Sequence, residues 1–196
     1  NPGCYATAAI LALAPLVQAG VVDPHLVVDG KSGVSGAGRT PTEATAFCQA
    51  AEGISPYAPV GHAHQAEIEM ELSRLAGDRV TVTFTPHLAP FSRGLLVTAY
   101  GRLTGEFEQA DADRLYADRY AGERFVDVVS IPRTQALRGS NLCHVGVWVD
   151  SDRGAVVAAA AIDNLVKGAA GQAIQNANLM LGLPEHLGLS DVTLWP

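Results

Sequence analysis

The run Arg79-Val80-Thr81-Val82-Thr83-Phe84-Thr85 places β-branched and aromatic residues in alternation. A period of two over such a stretch describes a strand with one buried and one open face. Residues 94–100 answer it, and Pro86 and Pro90 place a turn between the two, so this segment predicts a strand pair. Residues 125–129, 143–149 and 155–162 read as three further strands, and residues 25–29 as a short buried one. Helical patterns are interleaved with these. Residues 4–19 carry Leu11, Leu13, Leu16 and Val17 on an apolar surface, Gly20 supplies a stop, and Pro15 predicts a kink or an early end. Residues 67–75 place Ile68 and Leu72 one turn apart, and residues 107–120 turn Phe107, Leu115 and the tyrosines to one side. Thr40 with Glu43 reads as a capping box opening a short helix to residue 50. Residues 164–181 read as one long helix, whose Gly168-Ala169-Ala170-Gly171 start admits another backbone. Helices and strands in this mixed order predict an α+β fold: one mixed, largely antiparallel sheet packed by helices, with residues 1–196 as one domain.

Composition narrows the function classes. The chain has 196 residues, is 48% hydrophobic and 17% charged, and so carries enough apolar side chain for a core. A membrane helix needs about 18 consecutive apolar residues; the longest candidate, residues 6–19, is interrupted by Pro15. A net charge of −7 argues against a nucleic-acid or anionic-membrane surface, which needs a basic face. Cys4, Cys48 and Cys143 are too few for a disulfide framework and contain no C-x-x-C pair, which suits a reducing, cytoplasmic setting. The chain opens on Asn1-Pro2-Gly3-Cys4 rather than on Met, which reads as a fragment boundary or as processing.

Two apparent nucleotide motifs fail. Gly30-Lys31-Ser32 ends like a phosphate-binding loop, but the required leading glycine is His25. Gly33, Gly36 and Gly38 do not make G-x-G-x-x-G, so no dinucleotide fingerprint is present. Three features carry chemistry instead. Cys4 stands at a helix N-terminus, where amide N–H groups and the dipole favour a thiolate, predicting a lowered pKa and a nucleophile; the plain alternative is a cysteine that packs. His62-Ala63-His64 offers a base or acid to Cys4, or two surface histidines; no third ligand is spaced for a metal, so none is expected. Arg93, ending a proline-pinned turn, and Arg39, beside flexible glycines, are each either a fork for a carboxylate or phosphate or a solvated charge.

Taken together these segments resemble the N-acetyl-gamma-glutamyl-phosphate reductase family. The resemblance is carried by Asn1-Pro2-Gly3-Cys4-Tyr5, the loop from Ser32-Gly33-Val34-Ser35 through Gly36-Ala37-Gly38-Arg39, and Ile54-Ser55-Pro56-Tyr57. It continues through His62-x-His64 with Glu67-Ile68, Phe84-Thr85-Pro86-His87-Leu88 and Ser92-Arg93-Gly94, and closes on Ala161-Ile162-Asp163-Asn164-Leu165-Val166-Lys167-Gly168 with Gly171-Gln172-Ala173. It implies a semialdehyde-dehydrogenase or glyceraldehyde-3-phosphate-dehydrogenase-like C-terminal domain, both catalytic and oligomerising, preceded by a Rossmann domain that binds NADP and is missing from this chain. The helix at 164–181 would lie against that cofactor domain. The implied chemistry is NADPH-dependent reduction of an acyl phosphate to a semialdehyde, in arginine biosynthesis, through a Cys4 thioester, with His64 first and His62 second as the proton-handling histidine. Arg39, Arg93, Ser35 and Gly36 are then substrate candidates, and Asn164, Gln172 and Gly33 candidates for the cofactor side. A cytoplasmic homo-oligomer, dimer or tetramer, is implied as well.

Two positions depart from the family pattern. Ala6 stands where proline is usual after Tyr5, and Ala63 where arginine is common between the histidines. The second leaves open a relative acting on the one-carbon-longer aminoadipyl phosphate. Two other classes compete: a cysteine hydrolase or transferase complete in this chain, and a purely structural oligomerising domain.

Overall fold

The computed structural model describes residues 1–194. Seven strands form one sheet: β1 (His25–Gly33), β2 (Ser55–Pro56), β3 (Thr81–Ala89), β4 (Leu95–Arg102), β5 (Val126–Val128), β6 (Cys143–Asp150) and β7 (Ala155–Ile162). Their order is β2-β3-β1-β4-β7-β6-β5. The β1–β3 and β5–β6 pairs are parallel and the other four antiparallel, so the sheet is mixed, as the α+β reading expected.

The strands at 79–85 and 94–100 are real but are not each other's partners. Chain segment β1 lies between them, parallel to β3 and antiparallel to β4. Pro86 does not end its strand either. The N and O of a strand residue point to the same side, and Pro86 O accepts from Tyr57 N, 3.0 Å away. The missing N–H therefore faces the two-residue β2 rather than the central ladder. The turn is confined to residues 90–94. Strand β1 outruns its predicted end at Asp29 and takes in Gly30 to Gly33; only residues 34–37 form a 3-10 turn. Its burial alternates, so it is buried on one face rather than on both.

One sheet face carries Leu26 and Val28, Val82 and Phe84, Val97 and Ala99, Val145 and Ala160, all buried. Against it pack α1 (Cys4–Gln18), α3 (Ala63–Ala76) and α4 (Gln109–Tyr120), with α1 in the middle; α2 (Phe47–Ala50) is a single exposed turn, and the capping box lies before it, between Thr42 and Thr45 on the 3-10 turn Glu43–Thr45, rather than between Thr40 and Glu43. On the opposite face Val27 and Tyr100 are exposed. Ile68 and Leu72 bury the inner stripe of α3, as their spacing predicts. The long helix expected at 164–181 is divided: a π-turn covers Val166–Ala170, and α5 runs Gly171–Met180. Gly168 serves the predicted close approach, since a Cβ there would lie 2.8 Å from Cys4 Cβ. No helix among the described residues is long and apolar enough to cross a membrane.

Helix α1 runs through Pro15 without ending and continues to Gln18. Proline removes the N–H that would bond Leu11 O, leaving a carbonyl beside the core. The Tyr120 hydroxyl donates to that carbonyl, and the Tyr116 hydroxyl to Ala12 O. Tyr120 of α4 thus supplies the central helix with the donor its own backbone lacks, and Tyr116 adds a second donor at the next carbonyl. Tyr120→Phe is expected to cost about 1–3 kcal/mol in urea unfolding, the usual penalty for orphaning a buried polar group. In a Pro15→Ala background, where the backbone N–H returns, the same substitution should cost measurably less.

Candidate active site

Cys4 is the first residue of α1, half-buried, with Gly3 as the extended N-cap. Two neighbours fix this start. Glu67 Oε2, one turn into α3, accepts the Gly3 N–H at 2.7 Å. The His64 ring packs on Gly3 so closely that a Cβ there would lie 2.0 Å from His64 Nε2. Glycine is required at position 3 because the imidazole occupies the place of a side chain.

His62 and His64 flank the start of α3 with ring centroids 4.7 Å apart. His62 is the N-cap: its Nδ1 accepts the His64 backbone N–H at 3.2 Å, which leaves Nε2 as its protonated nitrogen when neutral. His64 Nδ1 is buried with no partner among the described residues. Tyr5, Tyr57 and Phe84 surround the pair edge-on. Tyr5 is held by its hydroxyl on His87 O and by Tyr57, and Gly30 leaves room for its ring, since a Cβ there would fall 2.3 Å from it.

Burial dominates the electrostatics. It pushes the Cys4 thiol up, against the pull of the Cys4 and Tyr5 backbone N–H groups, and the Glu67 carboxylate pushes it further. The lowered thiol pKa expected from the helix start is therefore not what this environment produces; desolvation outweighs the helix terminus. Burial also lowers both histidines, while Glu67 opposes that shift. The resting pair is a neutral thiol beside neutral imidazoles, with a carboxylate placed to favour an imidazolium once one forms.

A second knot of predicted residues lies behind the nucleophile. Asn164 is buried, its Oδ1 accepting from Gly94 N at 2.7 Å and its Nδ2 donating to Ser35 Oγ at 2.9 Å. Gly33 approaches the backbone of the Phe91–Arg93 turn, and a Cβ on Gly36 would strike Ser32 Oγ; both glycines make room for this chain's own atoms. Arg93 Nε lies 2.7 Å from Asp163 Oδ2, a close charge contact without hydrogen-bond alignment. Asp163 also accepts from Gly139, Leu165 and Val166 N–H groups, and its backbone O holds Gly168 against Cys4. The sequence reading gave Asp163 no role, although an acid closing the apolar run of β7 is the signal that marks it.

Gln172 stands apart on α5, bonded to Asn176, and faces a cavity of about 560 Å³ bounded by α1, α3 and α5. Arg39 is exposed, with no side-chain partner among the described residues. No group of three metal-ligating side chains occurs among the described residues. Of the cofactor candidates, Gln172 lines this cavity.

The family pattern of the semialdehyde dehydrogenase dimerisation domain matches residues 4–164. The N-acetyl-gamma-glutamyl-phosphate reductase of Geobacter metallireducens is 51% identical over 201 residues, covering all of this chain and 58% of its own length. That of Moorella thermoacetica is 50% identical over 200 residues with the same coverage. The chain thus spans less than two thirds of these curated relatives. In fold it is similar to aspartate semialdehyde dehydrogenase II of Vibrio cholerae (TM-score 0.73, 20% identity, 93% of this chain and 62% of that one). A probable aspartate-semialdehyde dehydrogenase of Pseudomonas aeruginosa is similar at TM-score 0.69 and 21% identity, over 92% and 61%.

The raised thiol has a direct readout. Cys4 is expected to alkylate more slowly than the exposed Cys48 at neutral pH, and to accelerate as pH climbs past the ordinary thiol range. Peptide-resolved iodoacetamide labelling against pH measures both.

Proposed function

The chain belongs to the semialdehyde dehydrogenase dimerisation-domain family, and we propose that it is the catalytic part of an N-acetyl-gamma-glutamyl-phosphate reductase. The observation that carries this reading is Cys4 at the buried start of α1 with the His64 ring against the residue before it. Cys4 sulfur attacks the acyl carbon of N-acetyl-gamma-glutamyl phosphate; a carbon–sulfur bond forms, the carbon–oxygen bond to phosphate breaks, and phosphate leaves behind a thioester. A reduced NADP bound on the side of Gln172 and Asn164 would supply the hydride needed to take the thioester to the semialdehyde level. His64, neutral because it is buried, takes the Cys4 proton as the sulfur attacks and returns it when the carbon–sulfur bond breaks. Glu67 stabilises the imidazolium between those events. His62 acts as the positioning residue, its Nδ1 holding the first turn of α3 and so the His64 ring.

Gln172 supports the cofactor side of this reading, with Asn164 and Gly33 shaping the wall behind Cys4. Ser35, Gly36 and Arg93 belong to the substrate side through the same knot, and Arg39 lies on the loop beyond it. The exposed residues of α5, among them Ile174, Leu179 and Met180, are the face for an N-terminal Rossmann domain that carries NADP. A homo-oligomer acting in arginine biosynthesis in the cytoplasm completes the proposal, supported by the relatives' names and the family's description as a dimerisation domain.

Rapid-quench measurement of phosphate released from N-acetyl-gamma-glutamyl phosphate separates the two histidines. His64→Asn is expected to slow the burst by roughly 10²–10⁴-fold, the usual worth of a general acid–base. His62→Asn, which keeps a capping acceptor, should slow it far less, while His62→Ala should also lose about 1 kcal/mol of stability. Equal losses in the two asparagine variants would reverse the assignment, and a full burst in Cys4→Ser would end the reductase reading.

A further inference from the structure

On the far side of the Asp163 knot lies a cavity of about 380 Å³ that Arg93, set on the substrate side above, shares with residues the proposed function does not use. Its polar walls are Ser92, Arg93, Thr134, Gln135 and Arg138; Phe91 and Leu194 supply the apolar part. All five polar side chains can donate hydrogen bonds, and no carboxylate lines the space among the described residues. In a chain of net charge −7, two guanidiniums facing one carboxylate-free cavity are a specific arrangement.

Arg93 is built in rather than draped. Its Nε rests against the fully buried Asp163 carboxylate, which three backbone N–H groups hold from the other sides. The terminal amino groups of Arg93 have no partner among the described residues, and neither does the guanidinium of Arg138. Thr134 is seated against Gly94, where a Cβ would lie 2.8 Å from the threonine Cβ, so the turn bearing Arg138 is registered on the turn bearing Arg93. Leu194 N donates to Arg138 O at 2.7 Å and closes the rim.

We propose that this cavity is a binding subsite for a small oxyanion, a carboxylate or a phosphate, held by the Arg93 and Arg138 guanidiniums with Thr134 and Gln135. A guanidinium fork takes either anion in two parallel hydrogen bonds, and the charge contact with Asp163 holds Arg93 Nε in place. Arg138 has no counterpart in the sequence reading, which took Arg93 singly. Neither Cys4 nor either histidine lines the subsite, so anion binding there is measured separately from acyl transfer, although Arg93 is common to this proposal and to the substrate side of the proposed function.

Titration of the chain with inorganic phosphate, and separately with acetate, tests this through the Arg93 Nε–H and Gln135 side-chain amide signals in nitrogen-edited NMR. Saturable shifts are expected with at least one anion, and the anion that binds more tightly identifies the group the site takes. Arg138→Met should weaken binding at least about tenfold, since a hydrogen bond to a charged group is worth that much. Arg93→Met should do the same, and Arg93→Lys should recover part of the loss. Arg93→Met strips the partner from a buried carboxylate and can unfold the chain, so Arg138→Met is the deciding variant. Arg79→Met, at an exposed arginine elsewhere, should bind as the unaltered chain does. Shifts that fail to saturate with both anions, or an Arg138→Met that binds as tightly as Arg79→Met, would overturn the proposal.

Discussion

The buried carboxylate of Asp163 is the interaction on which the rest of the site depends. It stands where β7 ends and the chain must turn beneath the nucleophile. An isolated charge at that depth would be prohibitive, and it persists because Arg93 and three backbone N–H groups surround it. These four partners come from three segments: Arg93 from the β3–β4 turn, Gly139 from the loop before β6, and Leu165 and Val166 from the turn leading into α5. The next residue, Asn164, ties in the end of β1 through Ser35. Two consecutive polar residues thus bind four loops around one point, and Gly168, held by Asp163 O, carries that rigidity to Cys4.

The nucleophile's helix meets this knot from the other side. Helix α1 is nearly all buried and rich in alanine, which lets it lie flat on β4, β7 and β6. Pro15 frees the Leu11 carbonyl of that helix, and α4 provides the Tyr120 hydroxyl for it. The enclosure also explains the thiol. A cysteine at a helix start gains from the N–H groups there, but the depth that fixes its position removes the solvent that would stabilise a thiolate. Under the proposed function, the Cys4 thiol is activated at the moment of attack by a neutral histidine rather than held in a standing ion pair.

Much of this was legible in the residues. The start of α1 at Cys4, the Ile68 and Leu72 stripe of α3, and strands β5 to β7 follow from local patterns that burial then satisfies. What local pattern could not carry was pairing. Strand β1 inserts between β3 and β4, a choice made by contacts distant in sequence, and its glycines look like a loop when read alone. Gly30 is there for the Tyr5 ring and Gly33 for the backbone of the Phe91–Arg93 turn, reasons visible only once those partners are placed. Of the site, the His64 ring lies against Gly3, next to Cys4, whereas Asp163 is marked in sequence only by its place at the end of the apolar run of β7 and Arg138 by nothing local.

The central claim is that Cys4 becomes acylated. Intact mass measurement of the chain after mixing with N-acetyl-gamma-glutamyl phosphate addresses it most directly. The account expects one N-acetylglutamyl group on Cys4, removable by hydroxylamine and absent from Cys4→Ser. An unmodified Cys4, or the same group on another residue, would contradict it.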